Sequence, residues 1–357
     1  MDEDTPDQIS DEKPVCETAD NVDRSNSDNI IPRKKFAMLM AYCGRGYHGM
    51  QMNPNAPDYP TIEGTLVSAL VKAGCVPESY SSKMNELKFQ RCARTDKGVS
   101  AVGQLVSARL LTSCINPVEE INLHLPPEIR ILGIKQVTKG FNSKSMCDAR
   151  TYSYMLPTFA LSGCAPFAPD SSFRLPREQF HHINRLLSFY NGTHKYHNFT
   201  VKKTAEDPSV WRTMFSVSCA EPFVHHGIEF ARILFTGQSF MMHQIRKMIG
   251  MIIAVTRGIV PAEFLTQCVQ TEKFSLPTAP GLGLVLEHTH FNIYNSRYAG
   301  DGFHEALTWE ETLPAINAFR EEKITPVILE GELEELSMCC WLDKLKHHSF
   351  LQLQRTS

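Results

Sequence analysis

Short apolar segments with strand character alternate irregularly with helical patterns, and this order of elements constrains the fold most. The strand-like segments lie at residues 36–42, 104–110, 129–137, 152–156, 211–218, 228–235 and 282–286, with a further short one ending near Cys92. Helical periodicity marks a helix after Thr61 and others at 177–189, 239–255 and 262–270. Because the strands do not follow the steady βαβ period of a parallel sheet, we expect an α+β fold. Two halves of similar composition are predicted to share one continuous, mainly antiparallel sheet.

Charge is distributed unevenly along the 357 residues. Residues 1–32 hold ten acidic and two basic side chains, a net charge of −8, and residues 298–357 carry −6. The chain as a whole carries only −3, so the segment between these ends carries +11. A basic body with acidic ends is typical of a protein that binds a polyanion, although ordinary surface charge is the simpler alternative.

The same shifts in composition predict four regions. Residues 1–35 are expected to be a disordered acidic segment, because they are polar and nearly free of aromatic residues. Residues 36–150 and 151–297 are expected to form the two halves of the folded body. Residues 298–357 are predicted to be an acidic extension with a single helix at 310–322.

Cysteines and termini indicate a reduced intracellular protein. Eleven cysteines occur without a C-x-x-C pair, so neither a disulfide framework nor a zinc site is expected. The apolar run Met248–Val260 is too short to span a bilayer and is predicted to be a buried helix. The acidic N-terminus differs from a mitochondrial presequence. The cluster Arg33-Lys34-Lys35 is interpreted either as a nuclear import signal or as the flank of the first strand.

The segment RTDKG contains a carboxylate suited to chemistry. Asp96 lies between Arg94 and Lys97 on a turn that includes a glycine. Nearby cations favour the charged form of a carboxylate, and an ionised carboxylate in a cleft acts as a nucleophile or a base. From these residues alone, a solvated turn with a local ion pair is the favoured alternative.

A second segment, GQSFMMHQIRKMIG at 237–250, places an arginine among apolar residues. On a helix, Met242 and Arg246 would lie on a common face. A buried Arg246 would need a carboxylate partner, whereas a surface Arg246 would extend to solvent. His243 is interpreted as a structural histidine.

A third segment, CDARTYSYMLP at 147–157, presents aromatic rings beside cations. Tyr152 and Tyr154 alternate on a strand and therefore point the same way. An aromatic ring near Arg150 and Lys144 is the arrangement that stacks an unpaired base. Two core tyrosines are the alternative.

Taken together, these segments resemble a known family. RCARTDKGVSA, FNSKSMCDARTYSY, SFMMHQIRKMIG and APGLGLVL occur in the order and spacing of the TruA family of tRNA pseudouridine synthases, and YCGRGYHGMQ at 42–51 is similar to the opening motif of that family. The likeness covers roughly residues 36–297 and is greatest to the eukaryotic branch that modifies tRNA positions 27 and 28. It implies the pseudouridine synthase fold, in which two ferredoxin-like halves share a sheet and helices pack around an RNA-binding cleft.

The resemblance also implies roles for individual residues. Asp96 corresponds to the catalytic aspartate of the family, Arg246 to the arginine that pairs with it, and Tyr152 to the tyrosine that stacks on the target base. Leu282 corresponds to the apolar residue beneath the target uracil. The residues assigned to substrate binding are Arg94, Leu282, Lys97, Arg150 and Lys144. Met242-His243 departs from the two histidines common in bacterial members.

The reaction implied is the isomerisation of uridine to pseudouridine in tRNA, with messenger RNA and other structured RNAs as further substrates. It requires no metal, nucleotide or redox cofactor, and no motif for these is present. A catalytically silent RNA-binding protein or tRNA chaperone is one alternative. A glycoside hydrolase is another, but most such enzymes require a second positioned acid.

We expect the protein in the nucleus, with the cytoplasm and the mitochondrion as alternatives. The sequence leaves open whether it is a monomer or a homodimer.

Overall fold

A computed structural model describes residues 33–53, 55–80, 85–111, 116–163 and 172–351. The segment predicted to be disordered, 1–35, lies outside these ranges except for its last three residues. The strands are β1 (Arg33–Tyr42), β2 (Gln90–Arg91), β3 (Ser100–Leu111), β4 (Ile129–Gln136), β5 (Ala149–Pro157), β6 (Gly192–Lys195), β7 (Trp211–Cys219), β8 (Phe223–His225), β9 (Ile228–Gly237) and β10 (Leu284–His290). The helices are α1 (Ile62–Lys72), α2 (Pro117–Leu123), α3 (Arg177–Ser188), α4 (Gln244–Thr256), α5 (Phe264–Gln267), α6 (Asn292–Tyr298), α7 (Leu313–Phe319), α8 (Thr325–Glu334) and α9 (Ser337–Leu345).

The strands form one continuous ten-stranded sheet. Its order is β4-β1-β3-β10-β5-β9-β7-β6, with β2 added to β3 and β8 to β9. All pairs are antiparallel except β10 with β3, which is parallel. The predicted α+β class and the shared, mainly antiparallel sheet are therefore confirmed. The late strand β10 joins the two halves, because it pairs with β3 of the first half and β5 of the second.

Each face of the sheet has its own hydrophobic core. On the first face, helices of both halves contribute to a single core that includes Leu66 of α1 and Ile249 of α4. In α1, Thr61 caps the helix by accepting from the Gly64 N–H at 3.2 Å, and the predicted apolar face is buried. Tyr152 and Tyr154 point into this first core, which confirms that they share one side of their strand.

The second face is covered by the C-terminal extension. The helix predicted at 310–322 is present, since residues 310–324 are helical throughout, but the prediction missed α8 and α9. The structure has three helices in this region, α7, α8 and α9. Trp309, Phe319 and Leu329 of the extension pack against Leu39 and Leu105 of the sheet. Strands buried on both faces need apolar cover on both faces. The acidic composition of the extension concealed the apolar residues that provide this cover.

Three predicted boundaries differ from the structure. The helix expected from Ser239 begins only at Gln244, because His243 adopts a left-handed backbone conformation with φ 61° that a helix does not allow. Strand β10 begins at Leu284, after a turn in which the Leu284 N–H donates to the Gly281 carbonyl at 3.1 Å. The helix predicted at 262–270 is reduced to Phe264–Gln267.

The basic cluster at residues 33–35 lies inside β1. The Lys35 ammonium is buried, and it donates to the Lys88 carbonyl and, at 2.7 Å, to Gln90 Oε1. Burial lowers the pKa of Lys35 to about 7. The structure thus agrees with the strand interpretation of this cluster.

Among the described residues, no helix has both the length and the apolarity that crossing a membrane would require.

Candidate active site

Asp96 lies on the connection between β2 and β3, in a turn closed by the Val99 N–H donating to the Asp96 carbonyl at 3.1 Å. Gly98 within this turn has φ 78°, a conformation that favours glycine. The Asp96 side chain is 35% exposed. The turn therefore presents the carboxylate to a cleft instead of burying it in the core.

Residues of the motif at 42–51 pack against the backbone of this turn. A side chain at Gly44 would overlap the Val99 carbonyl, and a Cβ at Gly49 would lie 2.9 Å from the Thr95 carbonyl oxygen. The hydroxyl of Tyr42 is 2.8 Å from Thr95 Oγ1. The two glycines thus allow the backbone of the Asp96 turn to approach β1 closely, which gives this motif a structural reason.

Arg246 and His243 both approach the Asp96 carboxylate. Arg246 Nη1 lies 3.9 Å and His243 Nε2 3.6 Å from Asp96 Oδ2. Arg246 is anchored on its other side, because its Nε donates to the Ala279 carbonyl at 2.7 Å. Burial lowers the pKa of His243 below its usual range, so at neutral pH the imidazole is uncharged and Arg246 supplies the positive charge.

Both distances exceed those of a hydrogen bond. The guanidinium acts on Asp96 through its charge, and it does not occupy a carboxylate oxygen. The two oxygens consequently remain available to a substrate, with the positive charge of Arg246 3.9 Å away.

Tyr152 forms an apolar wall near the carboxylate. Its ring is 7% exposed and meets the ring of Phe240 edge-to-face, with centroids 5.1 Å apart. Burial raises the pKa of the Tyr152 hydroxyl, which therefore stays neutral. Phe240, predicted to be helical, lies in the loop before α4 and packs here for that reason.

Arg150 holds three segments together around the cleft. Its guanidinium donates to the carbonyls of Gln238 at 3.1 Å, Cys92 at 2.9 Å and Lys144 at 3.4 Å. It was predicted to contact substrate, but these backbone acceptors give it a positioning role as well. Lys144 itself is exposed and lines the cleft.

The cleft has a volume of about 750 Å³, which is within the range of ligand sites. Among the described residues that line it, Asp96 is the single carboxylate, and six are Lys or Arg: Arg91, Arg94, Lys144, Arg150, Arg212 and Arg246. Arg91 is paired with the buried Glu63. Arg94 is exposed to the cleft, whereas Lys97, also exposed, is not among the residues that line it.

The predicted position of Leu282 was wrong. Its side chain packs on the second core, against Gly331 of α8, and it does not line the cleft. Leu284, two residues later, lines the cleft and belongs to the first core with Tyr152. The reason is the turn that precedes β10, since it places Leu282 before the regular alternation of the strand begins.

Comparisons with known proteins agree with this geometry. Residues 187–292 match a family described as tRNA pseudouridine synthase. The Pseudouridylate synthase 1 homolog of Mus musculus is 52% identical over 321 residues, which cover 90% of this chain and 75% of that protein. The human Pseudouridylate synthase 1 homolog is also 52% identical, over 88% of this chain and 74% of its own length. The tRNA pseudouridine synthase 1 of Yarrowia lipolytica is 31% identical over 84% of this chain and 72% of its length.

The chain belongs to the tRNA pseudouridine synthase family. The resemblance to TruA enzymes, stated above from the motifs, is confirmed, and the protein is an isomerase. The resemblance described above implies one catalytic carboxylate at the reacting centre. The single carboxylate lining the described cleft fits that requirement, and it does not supply the paired acids of most glycoside hydrolases.

Sequence reasoning missed two side chains of the synthase cleft. His243 was interpreted as structural, yet its ring lies 3.6 Å from Asp96 Oδ2. The helical pattern that runs unbroken from Ser239 concealed its role, because a residue inside a helix is not expected to adopt a φ of 61°. Leu284 could have been found from the alternation of Leu284 and Leu286 with Val285 in the LGLVL segment.

Proposed function

We propose that the protein converts uridine to pseudouridine in tRNA, at positions 27 and 28 of the anticodon stem. The observation that supports this most directly is the Asp96 carboxylate, which lies 3.9 Å from Arg246 in a basic cleft walled by Tyr152. The same cleft would admit uridines of messenger RNA and other structured RNAs. The named relatives include tRNA pseudouridine synthases of fungi, which supports tRNA as the main substrate.

The reaction breaks the N1–C1′ bond of uridine, turns the uracil and joins C5 to C1′. The proton on C5 is lost, N1 gains one, and no electron is exchanged with a cofactor. Asp96 is the group that acts on the ribose, either by attacking C1′ or by removing the proton on C2′. Both routes need the ionised carboxylate, and the guanidinium of Arg246 lies 3.9 Å from it.

Asp96 can reach its target only when the uridine leaves the RNA stack. In the proposed complex, the extruded uracil lies between the Tyr152 ring and Leu284, which both border the cleft. The Tyr152 hydroxyl is neutral and therefore adds no charge to the apolar site between the Tyr152 ring and Leu284. Leu284 replaces Leu282 in the role expected from the family motif.

Phosphate contacts would come from the cationic rim. Arg94 and Lys144 are exposed at the cleft, and Arg212 borders it from β7. Lys97 is exposed one residue beyond Asp96 and is proposed to contact RNA outside the pocket. Such contacts position an RNA backbone without reading its sequence.

The experiment uses purified protein and tRNA transcripts tritiated at C5 of uridine, since the isomerisation releases the tritium to water. We expect wild-type protein to release tritium and Asp96→Asn to release none while binding tRNA within about tenfold of wild type. Transcripts in which cytidine replaces uridine at position 27, 28 or both would locate the target. Tritium release by Asp96→Asn would refute the catalytic assignment, and unchanged release from the double replacement would refute the positions alone.

A nuclear site of action is a further part of the proposal, with the cytoplasm and the mitochondrion as alternatives. Because Lys35 is buried within β1, an import signal would have to lie outside the cluster at 33–35. Imaging of the tagged full-length chain tests this part separately from the chemistry.

A further inference from the structure

Two large aromatic side chains are exposed on one strand beside the cleft. Trp211 is 50% and Phe215 56% exposed, although the intervening Met214 is buried. Trp211 and Thr213 alternate along the first part of β7, and Phe215 is the extra residue of a bulge between Met214 and Ser216, which leaves its ring exposed as well. Two aromatic residues of this size on one open strand are unusual for a surface that contacts only water.

The strands around these rings carry positive charge. The Lys195 ammonium of β6 lies 5.3 Å from the centroid of the Trp211 ring, and Arg232 is half-exposed on β9. Neither β6 nor β7 contains Asp or Glu. The acidic residue of β9, Glu229, lies at the far end of that strand, where it accepts from the Leu175 N–H at 2.7 Å. The patch is therefore aromatic and basic.

The patch is continuous with the active-site cleft. Arg212, which follows Trp211, lines the cleft from the other side of β7. The Gln238 N–H, at the cleft, donates to the Thr213 carbonyl at 3.0 Å. Trp211 thus lies at the end of β7 that borders the cleft, and Phe215 lies farther out.

The C-terminal extension leaves this part of the sheet open. Its side chains pack on the second face over β1, β3, β5 and β10, and on β9 the same core reaches Ile228 and Phe230 at the start of the strand. On β7, the outward residues Ser216 and Ser218 are exposed within the ranges that the structure describes. An RNA that leaves the cleft along β7 would meet this open face.

We infer that Trp211 and Phe215 form a stacking platform for unpaired nucleotides of the substrate RNA, outside the pocket for the target uridine. This inference rests on the proposed function and extends the RNA-binding surface beyond the cleft. Trp211 and Phe215 are four residues apart, at most about 13 Å along the strand, so their rings would stack on bases that are not neighbours. Base–aromatic stacking tolerates any base, because every base has a π face, and Lys195 would neutralise a phosphate beside the first ring.

The test compares tRNA affinity of the full-length protein and its variants at one fixed salt concentration. We expect Trp211→Ala and Phe215→Ala each to raise the dissociation constant about 5- to 100-fold, as for the loss of one stacked base. Trp211→Phe should retain most of the affinity because it keeps a ring. Phe303→Ala is the matched control, since Phe303 is 83% exposed in the C-terminal extension. At saturating tRNA the kcat of all four variants should equal that of wild type.

Ultraviolet crosslinking of bound tRNA, followed by peptide mass analysis, provides a direct second measurement. Crosslinks to Trp211 or Phe215 support the platform. Unchanged dissociation constants without such crosslinks, in a protein that forms pseudouridine, would overturn this inference alone. If wild-type protein forms no pseudouridine, the proposed function fails first. A wild-type dimer that Trp211→Ala converts to a monomer with unaltered tRNA affinity would identify the patch as a contact between copies, which also overturns it.

Discussion

Replacing Arg246 by methionine should slow the chemical step while leaving RNA binding largely intact. The guanidinium lies 3.9 Å from Asp96 Oδ2, and the side chains of Arg246 and Asp96 are 21% and 35% exposed. At this distance, one pair of unit charges is worth about 4 kcal/mol at an effective dielectric constant near 20 and about 1 kcal/mol in water. Partial exposure places the pair between these limits. We therefore expect Arg246→Met to lower kcat roughly 10- to 1000-fold.

The assay is single-turnover pseudouridine formation at saturating enzyme, with tRNA affinity measured in parallel. Arg246→Lys is the matched variant, because it keeps the charge but loses the Nε–H that donates to Ala279. Its rate should fall between those of wild type and Arg246→Met. If Arg246→Met kept a kcat within about threefold of wild type, this result would refute a contribution of the Arg246 charge to the chemical step at Asp96. A loss equal in both variants would point to the Ala279 anchor instead.

Other predictions address the rest of the site. Burial places the pKa of His243 below its usual value near 6.5. We therefore expect kcat to stay constant down to about pH 6.5 and to decrease at lower pH, because the imidazole then gains a proton and pairs with the catalytic carboxylate. His243→Gln should lose this inflection in the pH profile. Leu284→Ala should lower kcat/KM and, because Leu284 is buried in the first core, should also cost about 2–5 kcal/mol of stability. Leu282→Ala should cost about 1–3 kcal/mol of stability by denaturant titration and leave single-turnover kcat near wild type. Gly44→Ala should abolish activity, because its Cβ would overlap the Val99 carbonyl in the turn of the catalytic aspartate; a fully active variant would show that this turn tolerates movement. Affinity for tRNA should fall steeply as salt rises, and a flat filter-binding titration would contradict phosphate contacts.

Local sequence signals predicted most elements of the body. Thr61 and the spacing of Ile62, Leu66 and Leu70 located α1 and its buried face, because capping and helical period are properties of neighbouring residues. Strands β4 and β9 were found in the same way, from apolar β-branched runs. The pairing of β10 between two halves of the chain was not derivable, since no local pattern encodes which strands meet.

The parts of the site that sequence missed depend on backbone conformation and distant packing. Helix α4 looked continuous from Ser239, yet the left-handed His243 ends the loop and aims its ring at Asp96. The side chain of Leu282 faces the C-terminal extension because α8 brings Gly331 against it. Nothing near Leu282 in the sequence reveals a helix almost 50 residues later. Family motifs identified the right segments, and the structure was needed to decide which side chain of each segment enters the cleft.

Each group around the reacting carboxylate is held by a segment remote in sequence. The Asp96 turn rests on Gly44 and Gly49 of the first motif, Arg246 is fixed by the Ala279 carbonyl, and Arg150 joins β5 to the carbonyls near Asp96 and at the end of β9. None of these supports donates a hydrogen bond to the carboxylate itself, and within the described ranges the nearest cationic nitrogen, Arg246 Nη1, is 3.9 Å away. Preorganised groups that act at a distance stabilise charge without occupying the oxygens that must react. Changes in the supporting carbonyl contacts should consequently appear in kcat, whereas changes in the exposed rim should appear in the affinity for RNA.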